Sequence, residues 1–302
     1  MKFSLLLLCA AALLAQSREG FLSVAGGPVW YRILGEGKGT PILAVHGGPG
    51  GTSCGFLDLA PLAEGRKLIV FDQLGSGRSG RPADRSLWNV ARFVEELHTV
   101  RTKLGLKRVH LLGHSWGGSL VAEYLLRKGT RGVQSVILAS PLLSTPDWIA
   151  DAEDLRKQLP ESVQQILRKH EAAGTTNSPE YRAAEQEFNK RFLSRRGGRG
   201  GNPDCAGSAF NQVIYEQMWG PSEFHATGSL KTFDLTKELG RLKLPTLLVV
   251  GEFDEARPAT AARYQKLIPG ARLEVIPNAA HALWWDNPEA TLKVFSSFIR
   301  SH

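Results

Sequence analysis

Val109-His110-Leu111-Leu112-Gly113-His114-Ser115-Trp116-Gly117 couples a short apolar run to a Gly-x-Ser-x-Gly turn, and Trp116 to Arg127 then carries apolar residues at helical spacing. The order strand, sharp turn, helix gives the motif its meaning, because a serine on such a turn projects its hydroxyl into the crevice at the strand's C-terminal end. Flanking glycines avoid the clash that so tight a turn would create, and the helix N-terminus offers a positive dipole to a developing anion. Ser115 is the candidate nucleophile.

Working outward, Ile42–Val45, Lys67–Phe71 and Ser135–Leu138 are compact apolar runs like Val109–Leu112, as expected for strands buried on both faces of a sheet. Val29–Leu34 alternates like an early, half-exposed strand, and Trp88–Leu104 reads as a helix stopped near Gly105. Strand-like runs resume at Thr246–Val250 and Arg272–Ile276, interleaved with helices at Thr260–Leu267 and Pro288–Ile299. The alternation predicts an α/β fold with a mostly parallel sheet flanked by helices. Between the two halves the character changes: Asp147–Phe192 is charged and helix-like, and a Gly/Arg loop and a further stretch to Gly240 follow. The expected organisation is a first core part at 16–143, a mainly helical cap at 144–240 inserted before the last strands, and a second core part at 241–302. The cap would cover the C-terminal edge of the sheet, where such folds bind ligands.

A serine needs a base to take its proton and a group to hold that base in the right tautomer. His281 follows the last strand-like run and the loop Pro277–Ala280, and Asp254 follows Thr246–Val250 and the turn Gly251-Glu252-Phe253, giving the chain order Ser, Asp, His. The rivals of Asp254 for this job are Glu255 and Asp286. His46-Gly47-Gly48-Pro49-Gly50-Gly51 follows the strand Ile42–Val45 and can aim backbone N–H groups at the same place. The expected oxyanion donors are the N–H groups of Gly48 and Trp116. A phosphate loop is excluded because no Gly-Lys-Ser/Thr follows.

The chain has 302 residues, 42% hydrophobic and 22% charged, which suits an ordinary globular protein. Its net charge of +8 favours acidic partners without fixing a chemistry. Arg195–Gly201 looks like an RNA-binding Arg/Gly tract but occurs once and without aromatics, so it reads as a solvated loop and no nucleic-acid partner is expected. Lys2 followed by the apolar run Phe3–Ala15 predicts a signal peptide over residues 1–15, hence export to the periplasm or beyond, with no stable membrane insertion after cleavage. Cys54 and Cys205 are then the only thiols, and an oxidising compartment would let them pair, two separate cysteines being the alternative. The eight scattered histidines match no metal-site spacing, so no metal is expected.

His46–Gly50 (HGGPG), Asp72–Ser79 (DQLGSGRS), Gly113–Gly118 (GHSWGG) and Gly251–Pro258 (GEFDEARP) together resemble the proline iminopeptidase family of α/β-hydrolases, with its tricorn-interacting aminopeptidases and amino-acid amidases. The resemblance runs from about residue 28 to the C-terminus. It implies a cofactor-free serine exopeptidase that releases an N-terminal residue, proline or another small or apolar one, from peptides or amino-acid amides. Family members hold the free α-amino group with acidic residues, and Glu223 in the cap and Glu255 match those positions. Leu74 stands where the commoner proline iminopeptidases carry Arg, which places the sequence nearer the broader-specificity, amidase-like branch. Trp219, Trp284 and Trp285 are expected in the core, with stacking on a substrate side chain as the alternative. The rival functions are a carboxylester hydrolase on the same scaffold and a non-catalytic binding protein. Oligomeric state is left open.

Overall fold

The computed structural model describes residues 17–197, 205 and 208–302. The expected signal peptide and part of the Gly/Arg tract lie outside the described residues.

An eight-stranded sheet has the order β1-β2-β4-β3-β5-β6-β7-β8, with β1 Arg18–Val24, β2 Gly27–Leu34, β3 Gly39–Val45, β4 Arg66–Phe71, β5 Val109–His114, β6 Val133–Ala139, β7 Thr246–Gly251 and β8 Arg272–Ile276. β1, β2 and β4 pair antiparallel, and every pairing from β4 through β3 to β8 is parallel. Period-2 alternation explains why the parallel strands read as unbroken apolar runs. Leu43, Ile69, Leu111, Val136 and Leu248 point into one core, while Ile42, Val70, Leu112, Ile137 and Leu247 point into the other. The edge strand β1 escaped the sequence reading. It is half-exposed, with Phe21 on the surface, and only its pairing with β2 makes it a strand.

Helix α1 (Val90–Lys103) begins at Asn89, whose side chain accepts from the Arg92 N–H, and α2 (Trp116–Lys128) begins at Ser115. Between β6 and β7 the chain forms α3 (Thr145–Arg156), α4 (Glu161–Ala173), α5 (Pro179–Phe192) and the short α6 (Gln212–Met218). The helix-like stretch Asp147–Phe192 is three helices, broken at Pro160, which lacks an N–H to donate, and at the turn before Ser178, which caps α5. This region has its own small core of Leu155, Leu167, Tyr181, Phe188, Phe192 and Phe224. Helices α7 (Pro258–Leu267), α8 (Leu283–Asp286) and α9 (Pro288–Arg300) complete the chain.

Candidate active site

Ser115 sits at the elbow between β5 and α2 with φ 56° and ψ −125°, a left-handed conformation that side-chain-bearing residues seldom adopt. Its N–H is held by the Ala139 carbonyl at 2.9 Å. The elbow closes only because its neighbours are bare: a Cβ on Gly117 would collide with the Val45 carbonyl, and one on Gly47 would lie 2.9 Å from the Ser115 Cβ. The HGGPG loop therefore rests directly on Ser115.

The DQLGSGRS stretch fixes that loop. His46 Nε2 accepts the Gln73 N–H at 2.9 Å, and the Gln73 amide donates to the His46 carbonyl at 2.8 Å while its oxygen accepts the Trp116 indole N–H at 3.0 Å. Asp72 accepts from the N–H and hydroxyl of Ser53, both at 2.8 Å, and from the Arg78 N–H at 2.8 Å. One buried Gln thus ties the loop after β3 to the first residue of α2, and this role was invisible until the two loops were seen to meet.

Asp254 is the partner of His281. Its buried carboxylate accepts from His281 Nδ1 at 2.9 Å, the Ala256 N–H at 2.8 Å, the Gly251 N–H at 3.0 Å and the Ser140 hydroxyl. Of its two rivals, Asp286 accepts instead from the N–H groups of Ala280 and Arg195 at 2.9 and 3.0 Å, anchoring the loop that carries His281. Glu255 Oε1 lies 3.8 Å from His281 Nδ1, beyond hydrogen-bond reach. The indole of Trp148, from α3, stands edge-on to the His281 ring with centroids 5.6 Å apart and donates to the Glu223 carbonyl at 2.9 Å. The sequence offered no signal for Ser140 or Trp148.

Ser115, His281, Gly48 and Glu223 line one cavity of about 370 Å³, with His46, Tyr215, Trp284 and Trp285 also in its wall. Trp116 follows Ser115 as the first residue of α2 and is not part of that wall, its indole being buried against Gln73 and Phe93. Trp284 is buried in the core as expected and also borders the cavity, Trp285 is partly buried in the cavity wall, and Trp219 is core, stacked edge-on against Trp148. Glu255 is 1% exposed, and neither carboxylate oxygen has a hydrogen-bond partner. Burial and then the nearby carboxylates of Glu223, Asp254 and Glu185 hold its pKa well above the usual carboxylate range. Tyr215 hydrogen-bonds to Glu223.

Cys54 and Cys205 are joined as a disulfide with Cα atoms 5.6 Å apart, rather than standing as separate thiols, and both line the cavity. Among the described residues no group of His, Cys, Asp and Glu could hold a metal ion, and no helix is long and apolar enough to cross a membrane.

This chain is similar to known proteins along nearly its whole length. The family described as the alpha/beta hydrolase fold matches residues 40–288. A proline iminopeptidase from Heyndrickxia coagulans is 44% identical over 285 residues, covering 94% of this chain and 99% of that one. One from Clostridium botulinum is 34% identical, covering 94% and 98%. Among solved structures, VinJ superposes with a TM-score of 0.87 at 32% identity, covering 94% of this chain and 98% of that one. The proline iminopeptidase of Mycobacterium smegmatis superposes at 0.85 with 33% identity and the same coverage. A fold laid down strand for strand, a serine on a strained elbow and this degree of identity lead to one conclusion: the chain belongs to the proline iminopeptidase family of α/β-hydrolases.

Proposed function

We propose that this protein is a serine exopeptidase that releases an N-terminal residue, proline or another small apolar one, from peptides or amino-acid amides. The observation that carries the reading is Glu255, a fully buried carboxylate with no hydrogen-bond partner beside the catalytic imidazole. An isolated buried charge costs several kcal/mol, and a substrate ammonium supplies the missing partner. An ester without an amine leaves it unmatched.

In the reaction His281 takes the proton of Ser115, whose oxygen attacks the carbonyl of the N-terminal residue while Glu223 and Glu255 hold its ammonium. The tetrahedral oxyanion rests on the N–H groups of Gly48 and Trp116. His281 then gives its proton to the leaving amine, and the C–N bond breaks to leave an ester on Ser115. Water, deprotonated by His281, hydrolyses that ester and restores the serine. Asp254 keeps the imidazole oriented and stabilises its positive charge. The described residues between 144 and 240 act as the cap, closing the site through Trp148, Tyr215 and Glu223.

The test is turnover of aminoacyl arylamides, free and N-acetylated, beside a short acyl ester. Cleavage confined to free amines supports the reading, and cleavage of the ester alone overturns it in favour of a carboxylester hydrolase. Glu223→Gln and Glu255→Gln should each lower kcat/KM for free-amine substrates by about a hundredfold, the effect of losing a hydrogen-bonded ion pair, and spare the ester.

We also propose that the chain is exported and works in an oxidising compartment. The N-terminal apolar run supports this, as does the disulfide, which spans 151 residues of sequence. Closing so long a loop stabilises a fold by about 2–4 kcal/mol. Thermal unfolding with and without reductant should show a clear loss of stability on reduction, matched by Cys54→Ser and absent from that variant when reductant is added.

A further inference from the structure

We infer that Glu185, on cap helix α5, is a third carboxylate of the ammonium site and helps it select substrates with a free amine. The inference rests on the aminopeptidase reading above and adds a residue from a part of the chain that no sequence motif marks.

Along α5, Tyr181, Glu185, Phe188 and Phe192 fall on one face at helical spacing. The other three members of that face all touch the site's own segments. Tyr181 Oη is 2.8 Å from Ser222 Oγ, and the Phe188 ring packs on Phe224 with centroids 4.8 Å apart, so the face grips the residues on either side of Glu223. The Phe192 carbonyl accepts the N–H groups of Glu255 and His281 at 3.3 and 3.2 Å. Glu185 is the acidic residue on this face, half-buried, and near enough to Glu223 and Glu255 for their charges to act on one another.

The groups facing Glu185 are predominantly acidic. They are Glu223 from the cap loop, Tyr215 from α6 and Glu255 after β7, with Asp254 and His281 beyond. Arg182, one turn earlier on α5, is exposed and acts the other way. Glu171 also lies near the helix, 3.2 Å from the Tyr181 hydroxyl. Burial and then Glu223 push the Glu185 carboxyl up to about 7. The free cluster therefore holds protons near neutral pH, and an arriving ammonium releases one as it takes its place. The sign follows. As pH rises through about 7 Glu185 becomes charged, the cation is held more tightly, and KM falls.

The experiment is steady-state kinetics of the full chain on a free-amine prolyl arylamide and on a short acyl ester, between about pH 5.5 and 8.5, for wild type, Glu185→Gln and Glu185→Asp. Titration of the substrate's own amine is common to all three proteins and cancels in their ratio. In Glu185→Gln, KM for the amine should rise about tenfold above pH 7, kcat should hold, and the fall of KM through neutrality should vanish. Glu185→Asp should keep that pH step, and ester turnover should change in neither variant. An unaltered KM and pH profile in Glu185→Gln would overturn the proposal. So would equal losses on amine and ester, which would mark a purely structural role. Wild-type protein that cleaves the ester but not the amine would remove the aminopeptidase reading itself, and this assignment with it.

Discussion

Ser115→Ala is expected to lower kcat by about a million-fold, the scale on which a serine nucleophile contributes to acyl transfer. The substitution keeps the Cβ and hence the backbone of the elbow, where Ser115 already has φ 56°. Folding and ligand binding should therefore survive, and the variant should still bind a free-amine product while failing to label with a fluorophosphonate. Single-turnover and labelling measurements together check this. Retained labelling would place the nucleophile elsewhere, and a wild-type protein that never labels would revive the non-catalytic reading.

Asp254→Asn should cost about ten-thousand-fold in kcat on amine and ester alike. Asp254 receives four donors, from His281, Ala256, Gly251 and Ser140, and is the negative charge bonded to the imidazole. An Asn amide keeps one acceptor oxygen but turns an N–H against the donors on the other side, and it cannot stabilise the imidazolium formed when Ser115 attacks. Some loss of stability, about 1–3 kcal/mol, should accompany the loss of rate because a buried donor is left unsatisfied. The contrast with Glu255 is diagnostic. If Glu255 oriented the imidazole, Glu255→Gln would abolish ester turnover and Asp254→Asn would be mild, whereas the 2.9 Å and 3.8 Å separations from His281 Nδ1 predict the reverse.

The amino-acid sequence by itself determined every strand of the sheet but the edge strand β1. Runs such as Ile42–Val45 and Thr246–Val250 carry their burial on both faces within a few residues, and the glycines around Ser115 admit one kind of turn, so local chemistry sufficed. It also gave the order of Ser115, Asp254 and His281, because each follows a strand. The tertiary structure decided what depends on segments distant in the chain. The choice of Asp254 over Glu255 and Asp286 turns on which carboxylate reaches His281, and Ser140 is 114 residues from the aspartate it supports. The edge strand β1 takes its identity from a partner strand, and the Cys54–Cys205 bond from two residues 151 apart in sequence that border one cavity. The breaks between α3, α4 and α5 are local, at Pro160 and before Ser178, whereas the direction in which α5 faces depends on its packing. A helix displays several faces to its surroundings, and only packing against Ser222, Phe224 and Glu255 selects the one that carries Tyr181, Glu185, Phe188 and Phe192.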